Sequence, residues 1–196
     1  YIIEKLIDMF TGIIKNTGLI KEISKDDNFL TVNIDNLKSN IGDSLAIDGA
    51  CLTISKIANN NFTFQISEET IAKTIVSNYS DGDYVNVEKA ATANSLLGGH
   101  MVLGHIDSTT LCSEIELVKD DLWNFYFLID NPSLVVDKGS ITINGISLTS
   151  NKLNGNKIYT SIVEHTFNET TFKHMRINDE VNIEYDIIGK YINEQK

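Results

Sequence analysis

The chain repeats itself, and this constrains its fold more than any other feature. Displaced by 92 positions, Met9-Phe10-Thr11-Gly12-Ile13-Ile14 falls on Met101-Val102-Leu103-Gly104-His105-Ile106, and Thr17, Leu19, Glu22 and Ile23 meet Thr109, Leu111, Glu114 and Ile115. Displaced by 96, Ser44–Glu88 runs without a gap along Ser140–Glu184. There Asp48-Gly49-Ala50-Cys51-Leu52-Thr53 lies on Asn144-Gly145-Ile146-Ser147-Leu148-Thr149, and Val85-Asn86-Val87-Glu88 on Val181-Asn182-Ile183-Glu184. The register changes by four residues between Ile23 and Ser44. A period this long marks a duplicated domain and not a solenoid. The 196 residues therefore divide into two units of about 90, each large enough for a small core.

Composition narrows the function classes. A hydrophobic content of 42% with 22% charged residues describes an ordinary globular chain, and a net charge of −11 disfavours nucleic acid or an anionic membrane as partner. No run reaches the roughly 18 apolar residues of a membrane span. Cys51 and Cys112 do not occupy matched positions, so a disulfide scaffold is not indicated and a cytoplasmic location is the expectation. His100 and His105 stand five apart, not the four that places two ligands on one helical face, so no metal is implied. Residues 1–8 have no counterpart in the second half; they are expected to be an N-terminal extension, with Met9 as the functional start.

Alternation dominates each half. Leu30–Ile34, Ser44–Ile47, Asn61–Ile66 and Tyr84–Glu88 read as strands, and Ser140–Ile143, Lys157–Ile162 and Glu180–Tyr185 repeat the series. Turns are expected at Ser24–Asn28, Asp48-Gly49, Asn59–Asn61 and Asp81–Asp83. Short strands at regular spacing predict a small closed antiparallel barrel in each half. Glu68–Ile71 and Glu164–Phe167 read as single helical turns, Ala90–Leu97 as a helical link stopping at Gly98-Gly99, and the tail as a helix with Ile188, Tyr191 and Ile192 on one face. A tail helix without a domain of its own is expected to pack on another subunit.

The start Met9–Ile14, the central Gly98-Gly99-His100 and Gly104-His105-Ile106-Asp107, and the paired Gly-x-(Cys/Ser)-Leu-Thr stretches at 49–53 and 145–149 resemble the riboflavin synthase (alpha chain) family. The resemblance covers Met9 to about Asp186. It implies an all-β fold of two tandem six-stranded Greek-key antiparallel barrels with short helices and a C-terminal helix. The expected domains are a first lumazine-binding barrel at 9–97, a second at 98–186 and an oligomerisation helix at 187–196. The implied reaction is the dismutation of two 6,7-dimethyl-8-ribityllumazine molecules by transfer of a four-carbon unit, giving riboflavin and 5-amino-6-ribitylamino-2,4-pyrimidinedione. No cofactor is implied. The implied assembly is a homotrimer whose site lies between the N-barrel of one subunit and the C-barrel of a neighbour, with lumazine synthase as a candidate partner.

The resemblance also assigns site residues. Phe10 is a candidate for stacking on the pteridine, and Gly12, Ile13 and Ile14 match the family's substrate-contacting start, where glycine permits close backbone approach. Ser44, Cys51, Leu52, Thr53 and Thr70 match ligand positions in the first barrel. Lys138, Ser147, Leu148, Thr149, Ile162, Val163 and Thr166 match positions in the second. Small hydroxyls and thiols suit a uracil-like ring edge and a ribityl chain. His100, Gly104, His105 and Ile106 complete the substrate-binding set. His105 is the expected acid/base, because an imidazole passes protons in both directions near neutrality; Cys51, Ser147 and Thr149 join it in the catalytic set, Cys51 for positioning or polar contact. The chain departs from the family pattern at Glu164 and His165, where members often carry proline and an acidic residue.

Three other readings stand beside this one, the plainest being a structural duplicated barrel, which only the agreement of the motifs excludes. A non-catalytic lumazine- or flavin-binding protein shares the fold but usually loses motif residues in one barrel, whereas both Leu-Thr motifs are intact here. A flavin-dependent reductase would need a nicotinamide-binding Gly-x-Gly-x-x-Gly between strand and helix, and the sequence has none.

Overall fold

The computed structural model describes residues 8–195, so nearly all of the expected 1–8 extension lies outside the described residues. In the first half, β1 (Asn16–Ser24), β2 (Phe29–Asn33), β3 (Ser44–Ile47), β4 (Ala50–Ala58), β5 (Asn61–Gln65) and β6 (Tyr84–Lys89) close into a barrel in the order β1-β2-β5-β4-β3-β6. Alternation along β2 and β5 sends Leu30, Val32, Phe62 and Phe64 inward, where they pack with Ile20, Ile54 and Val85. Each such side chain contributes about 1.5–3 kcal/mol on full burial. Helix α1 (Glu68–Lys73) follows β5, with Ser67 accepting the Thr70 amide as N-cap.

The second half contains β7 (Ser108–Lys119), β8 (Leu122–Leu128), β9 (Ser140–Ile143), β10 (Ile146–Thr149), β11 (Asn151–Lys152), β12 (Lys157–Val163) and β13 (Glu180–Tyr185). Their order is β10-β9-β13-β7-β8-β12-β11. This is the circuit of the first barrel with the β4 counterpart divided at Ser150 into β10 and β11. Ser150 is buried, donating its amide to Gly139 O at 2.9 Å and its hydroxyl to Val136 O at 2.7 Å. Its counterpart Ile54 makes the equivalent amide bond, to Asp43 O at 3.0 Å, but has no hydroxyl to bond as Ser150 does, and β4 continues past it through a register shift. A second core of Phe125, Phe127, Ile141, Ile143, Ile158 and Phe172 fills this sheet.

The halves meet across a buried polar seam with approximate two-fold symmetry. Asp48-Gly49 and Asn144-Gly145 form two-residue hairpins, and all four residues have positive φ. Asn86 donates to Asn144 O (3.0 Å) and Thr171 Oγ1 (2.9 Å) and accepts the Thr171 amide (2.9 Å). Its counterpart Asn182 donates to Asp48 O (2.9 Å) and accepts the Ile75 amide (2.9 Å). Gly49 and Gly145 face each other so closely that a Cβ on either would lie 2.8 or 2.6 Å from the other's amide nitrogen. The symmetry breaks at Asp48, which also accepts Tyr79 Oη at 2.8 Å where Asn144 stands opposite.

Ala90–Leu97 is not the expected helix. It carries only a turn, with the Ser95 amide on Thr92 O at 2.9 Å and the Thr92 amide on Ser95 Oγ at 2.9 Å. Ala91 gives its amide to Met9 O at 2.6 Å, and Leu96 is 90% exposed, so the segment has no apolar face to bury. Local side-chain bonds and a tether to the chain start outcompete a helix too short to nucleate alone. The tail is helical: α3 (Ile187–Glu194) begins at Asp186, whose carboxylate accepts the Ile188 amide.

The seam predicts how stability depends on pH. Burial pushes the Asp48 carboxyl up to about 7, against the hydrogen bonds from Asn86 and Tyr79, and burial does the same to Glu184. A carboxyl that holds its proton more tightly folded than unfolded stabilises the fold below about pH 4 and loses that contribution as pH rises through about 7. Thermal midpoints should therefore fall between pH 5 and pH 8. In Asp48→Asn the fall should shrink, the remainder being carried by Glu184 and by Glu88, whose carboxyl burial also pushes up. A variant whose midpoint declines as steeply as the parent's would place the titration elsewhere.

Candidate active site

Before each barrel begins, the chain runs across the other half. Phe10 and Val102 pair as an antiparallel bridge, with Phe10 N on Val102 O at 2.7 Å and Val102 N on Phe10 O at 3.1 Å. Beyond the bridge, Gly12 O accepts the amide of Ser147 at 2.8 Å, and Gly104 O accepts the amide of Cys51 at 2.9 Å. The segment leading into the first barrel thus lies on the second, and the reverse. Both glycines have positive φ and leave no room for a side chain: a Cβ at Gly12 would stand 2.5 Å from Ser147 Cβ, and one at Gly104 2.6 Å from Cys51 Cβ.

Two matching carboxylates hold these segments. Glu88 accepts the amides of Thr11 and Gly12, each at 2.9 Å, and the Thr11 hydroxyl at 2.8 Å. Glu184 accepts the amides of Leu103 at 2.7 Å and Gly104 at 3.0 Å. Burial raises the proton affinity of both, and for Glu184 brings the carboxyl to about 7 despite the Leu103 hydrogen bond and the charge of Lys190. Neither carboxylate was singled out from the sequence, although they close the matched Val-Asn-Val-Glu and Val-Asn-Ile-Glu stretches, which was the available signal.

At one of the two crossings lies a cleft of about 510 Å³, lined by Cys51, Glu69, Thr70 and Lys73 of the first half and by Gly104, His105 and Ile106 of the second. Its size falls within the roughly 300–1,000 Å³ of small-molecule sites. At the matching place in the other half, Gly12 meets Ser147, whose hydroxyl is hydrogen-bonded to His100 Nδ1 at 2.8 Å. Burial lowers the proton affinity of His100, so the imidazole beside this hydroxyl favours its neutral form. Gly99 admits this arrangement, since a Cβ there would meet Thr11 O at 2.2 Å. Among the described residues no cluster of three or more metal-ligating side chains occurs, and no helix is long and apolar enough to cross a membrane.

Of the expected catalytic set, His105 and Cys51 share one cleft, while Ser147 and Thr149 belong to the other half, with Thr149 exposed on β10. Thr70 and Ile106 line the His105 cleft; Thr166, half-buried on α2 (Glu164–Glu169), takes by the repeat the place of Thr70, and Val163 is exposed at the N-cap of α2. Ile13 is exposed beside Gly98, and Ile14 packs on the second core. Phe10 is a correction: it is 0% exposed, packed with Ala46 and Val102 beneath Gly104, and has no face to stack on a ring. The side chains of Leu52 and Ile162 are likewise buried in the cores, and Leu148 packs against the second. Ser44 is buried and donates to Asp8 at 2.6 Å, while Thr53 is exposed on β4. Lys138 is exposed in a positive-φ turn where the first half has Gly42, its ammonium bonded to Asn151. Neither cysteine forms a disulfide, and burial pushes the Cys112 thiol up to about 11.

Comparison with known proteins bears on this site. The lumazine binding domain family matches residues 11–90 and again 103–186. Riboflavin synthase of Actinobacillus pleuropneumoniae is 39% identical over 191 residues, covering 94% of this chain and 88% of that protein. Riboflavin synthase of Bacillus subtilis (strain 168) is also 39% identical over 191 residues, with the same coverage. Among solved structures, LumP complexed with 6,7-dimethyl-8-(1'-D-ribityl) lumazine superposes with a TM-score of 0.79 at 25% identity, covering 89% of this chain and 98% of that one.

Both family matches begin at a crossing segment, which gives the two glycines a shared test. Gly12→Ala and Gly104→Ala each place a Cβ against backbone of the facing strand in a conformation that disfavours L side chains. Each should lower folding stability by about 2–3 kcal/mol, whereas Gly82→Ala, at a positive-φ turn with open space around it, should cost less. Chemical denaturation of the three variants measures the difference; equal losses would mean that the close approach contributes nothing.

Proposed function

The chain belongs to the riboflavin synthase family, and we propose that it carries out that family's reaction on two molecules of 6,7-dimethyl-8-ribityllumazine. One molecule gives its four-carbon unit to the other; riboflavin and 5-amino-6-ribitylamino-2,4-pyrimidinedione leave, and atoms balance without a further reactant. The observation that carries the reading is the pair of matched crossings built from one repeat, where Gly104 meets Cys51 beside the cleft and Gly12 meets Ser147. Donor and acceptor are the same compound in different roles, and the two halves offer the same backbone frame with different side chains. Ser147 stands with His100, whereas Cys51 of the first half shares its cleft with His105 of the crossing segment.

The chemistry asks little of the protein beyond placement. The methyl group beside the lumazine ring nitrogen is acidic because the ring delocalises the carbanion. The clefts hold two rings in register, exclude water and move protons, His105 at one and His100 through Ser147 Oγ at the other. Near-attack placement of two reactants supplies roughly 7–11 kcal/mol, and a positioned acid or base about 10²–10⁴ in rate. Placement therefore outweighs any one side chain.

The proposed assembly is a homotrimer in which the first barrel of one subunit faces the second sheet of a neighbour. It is supported by α3, whose Ile188, Tyr191 and Ile192 are 58%, 69% and 58% exposed in the single chain. A second reading, a lumazine-binding protein without turnover, is favoured by the likeness to LumP. The higher identity to riboflavin synthases and the intact polar groups at both crossings favour the enzyme.

Incubation of the purified protein with the lumazine alone should yield riboflavin; binding without product would establish the second reading. Ser147→Ala and Cys51→Ala should differ in kcat by about tenfold or more, within the range a positioned group contributes, with similar melting temperatures. Matched losses in kcat and KM would remove the division of labour between the clefts.

Removal of residues 187–196 should convert trimers to monomers in sedimentation and lower activity. A truncated protein that remains trimeric would refute the role given to the tail.

A further inference from the structure

The segment that carries His105 into its cleft is fastened at both ends to β13. Glu184 accepts the amides of Leu103 and Gly104 at one end. At the other, Asp107 donates its amide to Ile183 O at 2.9 Å, and its carboxylate accepts the Tyr185 amide at 2.8 Å. The same oxygen of Asp107 is paired with Lys190 Nζ at 2.6 Å, the two side chains being 27% and 22% exposed. Lys190 belongs to α3, facing inward while Tyr191 and Ile192 face out. The matching segment of the first half has the carboxylate Glu88 but no such clamp: Lys15 stands exposed in the place of Asp107, Ile13 in the place of His105, and among the described residues Lys15 forms no ion pair.

We propose that Lys190 is a positioning residue for the reaction assigned above: by pairing with Asp107 it fixes the 103–107 segment so that His105 stands at a set distance from the substrate beside Cys51. The inference rests on that functional reading for its kinetic consequence and on the salt bridge and hydrogen bonds for its structural one. A half-buried pair is screened less than an exposed one, and it ties the strand entry to the tail helix. A misplacement of about 1 Å at a reacting group costs on the order of a hundredfold in rate, so a loosened clamp should appear in kcat before it appears in binding.

The test uses Lys190→Met, Lys190→Arg, Asp107→Asn and the double variant Asp107→Asn/Lys190→Met in the full chain. Lys190→Met and Asp107→Asn should each lower kcat about tenfold with KM within about twofold, Lys190→Arg should recover most of the loss, and the double variant should be no worse than either single one. Hydrogen exchange at the amides of Leu103, Gly104 and Asp107, which needs no substrate, should quicken in both single variants. Asp107→Asn lies outside α3, so it keeps the result separate from any effect on assembly. Unchanged exchange and unchanged kcat, losses that multiply in the double variant, or a rise in KM alone would each overturn the proposal. If the parent protein forms no riboflavin, the functional assignment fails while the exchange data still decide whether the clamp exists.

Discussion

Two buried asparagines fix how the halves of this molecule face each other. Apolar contact between Phe10, Ala46 and Val102 supplies attraction across the seam, but such contact is non-directional and would tolerate sliding. Asn86 and Asn182 do not tolerate it. Each sends its amide across to the opposite hairpin and takes a backbone amide from the other half, Asn86 from Thr171 and Asn182 from Ile75. A buried polar group left unpaired costs about 1–3 kcal/mol, so displacing the seam strands several groups together. The facing glycines at 49 and 145 follow from this, because the hairpins approach closer than any side chain allows.

With the seam fixed, the leading segments have one path. The chain enters each half across the other, and the carboxylates Glu88 and Glu184 receive the amides that a crossing segment cannot give to a sheet. Both carboxylates stand at the ends of the strands that also bear Asn86 and Asn182. One strand in each half therefore sets the relation between halves with its third residue and the position of the crossing segment with a residue two places on. The geometry of the clefts depends on the seam through that short length of extended chain.

The sequence made much of the fold legible for a physical reason: duplication doubles every signal. Alternation in Leu30–Ile34, Asn61–Ile66 and Lys157–Ile162 survives because those strands bury one face. β4 is obscured by its register shift between Ile54 and Lys56, which breaks the alternation, and β7 by an outer surface left open at Leu111, Leu117 and Val118. Ala90–Leu97 misled because its composition suits a helix, while its bonds go to Met9 and to its own turn. The glycines, Cys51, Ser147 and His105 of the clefts were visible as repeated motifs. The crossing was not, since Gly12 meets a residue far along the chain and no local pattern encodes such pairing. Phe10 was misread for the same reason: from sequence it opens a motif, and in three dimensions it is covered by Gly104.

The crossing also explains where the two copies were able to diverge. Gly12 and Gly104, Gly49 and Gly145, Asn86 and Asn182, and Glu88 and Glu184 are identical pairs, and each touches backbone of the other half or of a crossing segment. Replacing any of them would move chain rather than a side chain. Ile13 and His105 stand one residue beyond the fixed glycines, and both side chains are exposed. Cys51 and Ser147 give their amides to those glycines, which leaves a thiol and a hydroxyl free to differ. Lys15 and Asp107 lie where a segment joins its first strand, and only the second is drawn to the tail helix. Backbone contacts thus hold the two halves to one frame, and the variation they permit is confined to side chains around the clefts. A duplicated fold under these constraints can differ between its copies in chemistry while remaining nearly symmetric in architecture.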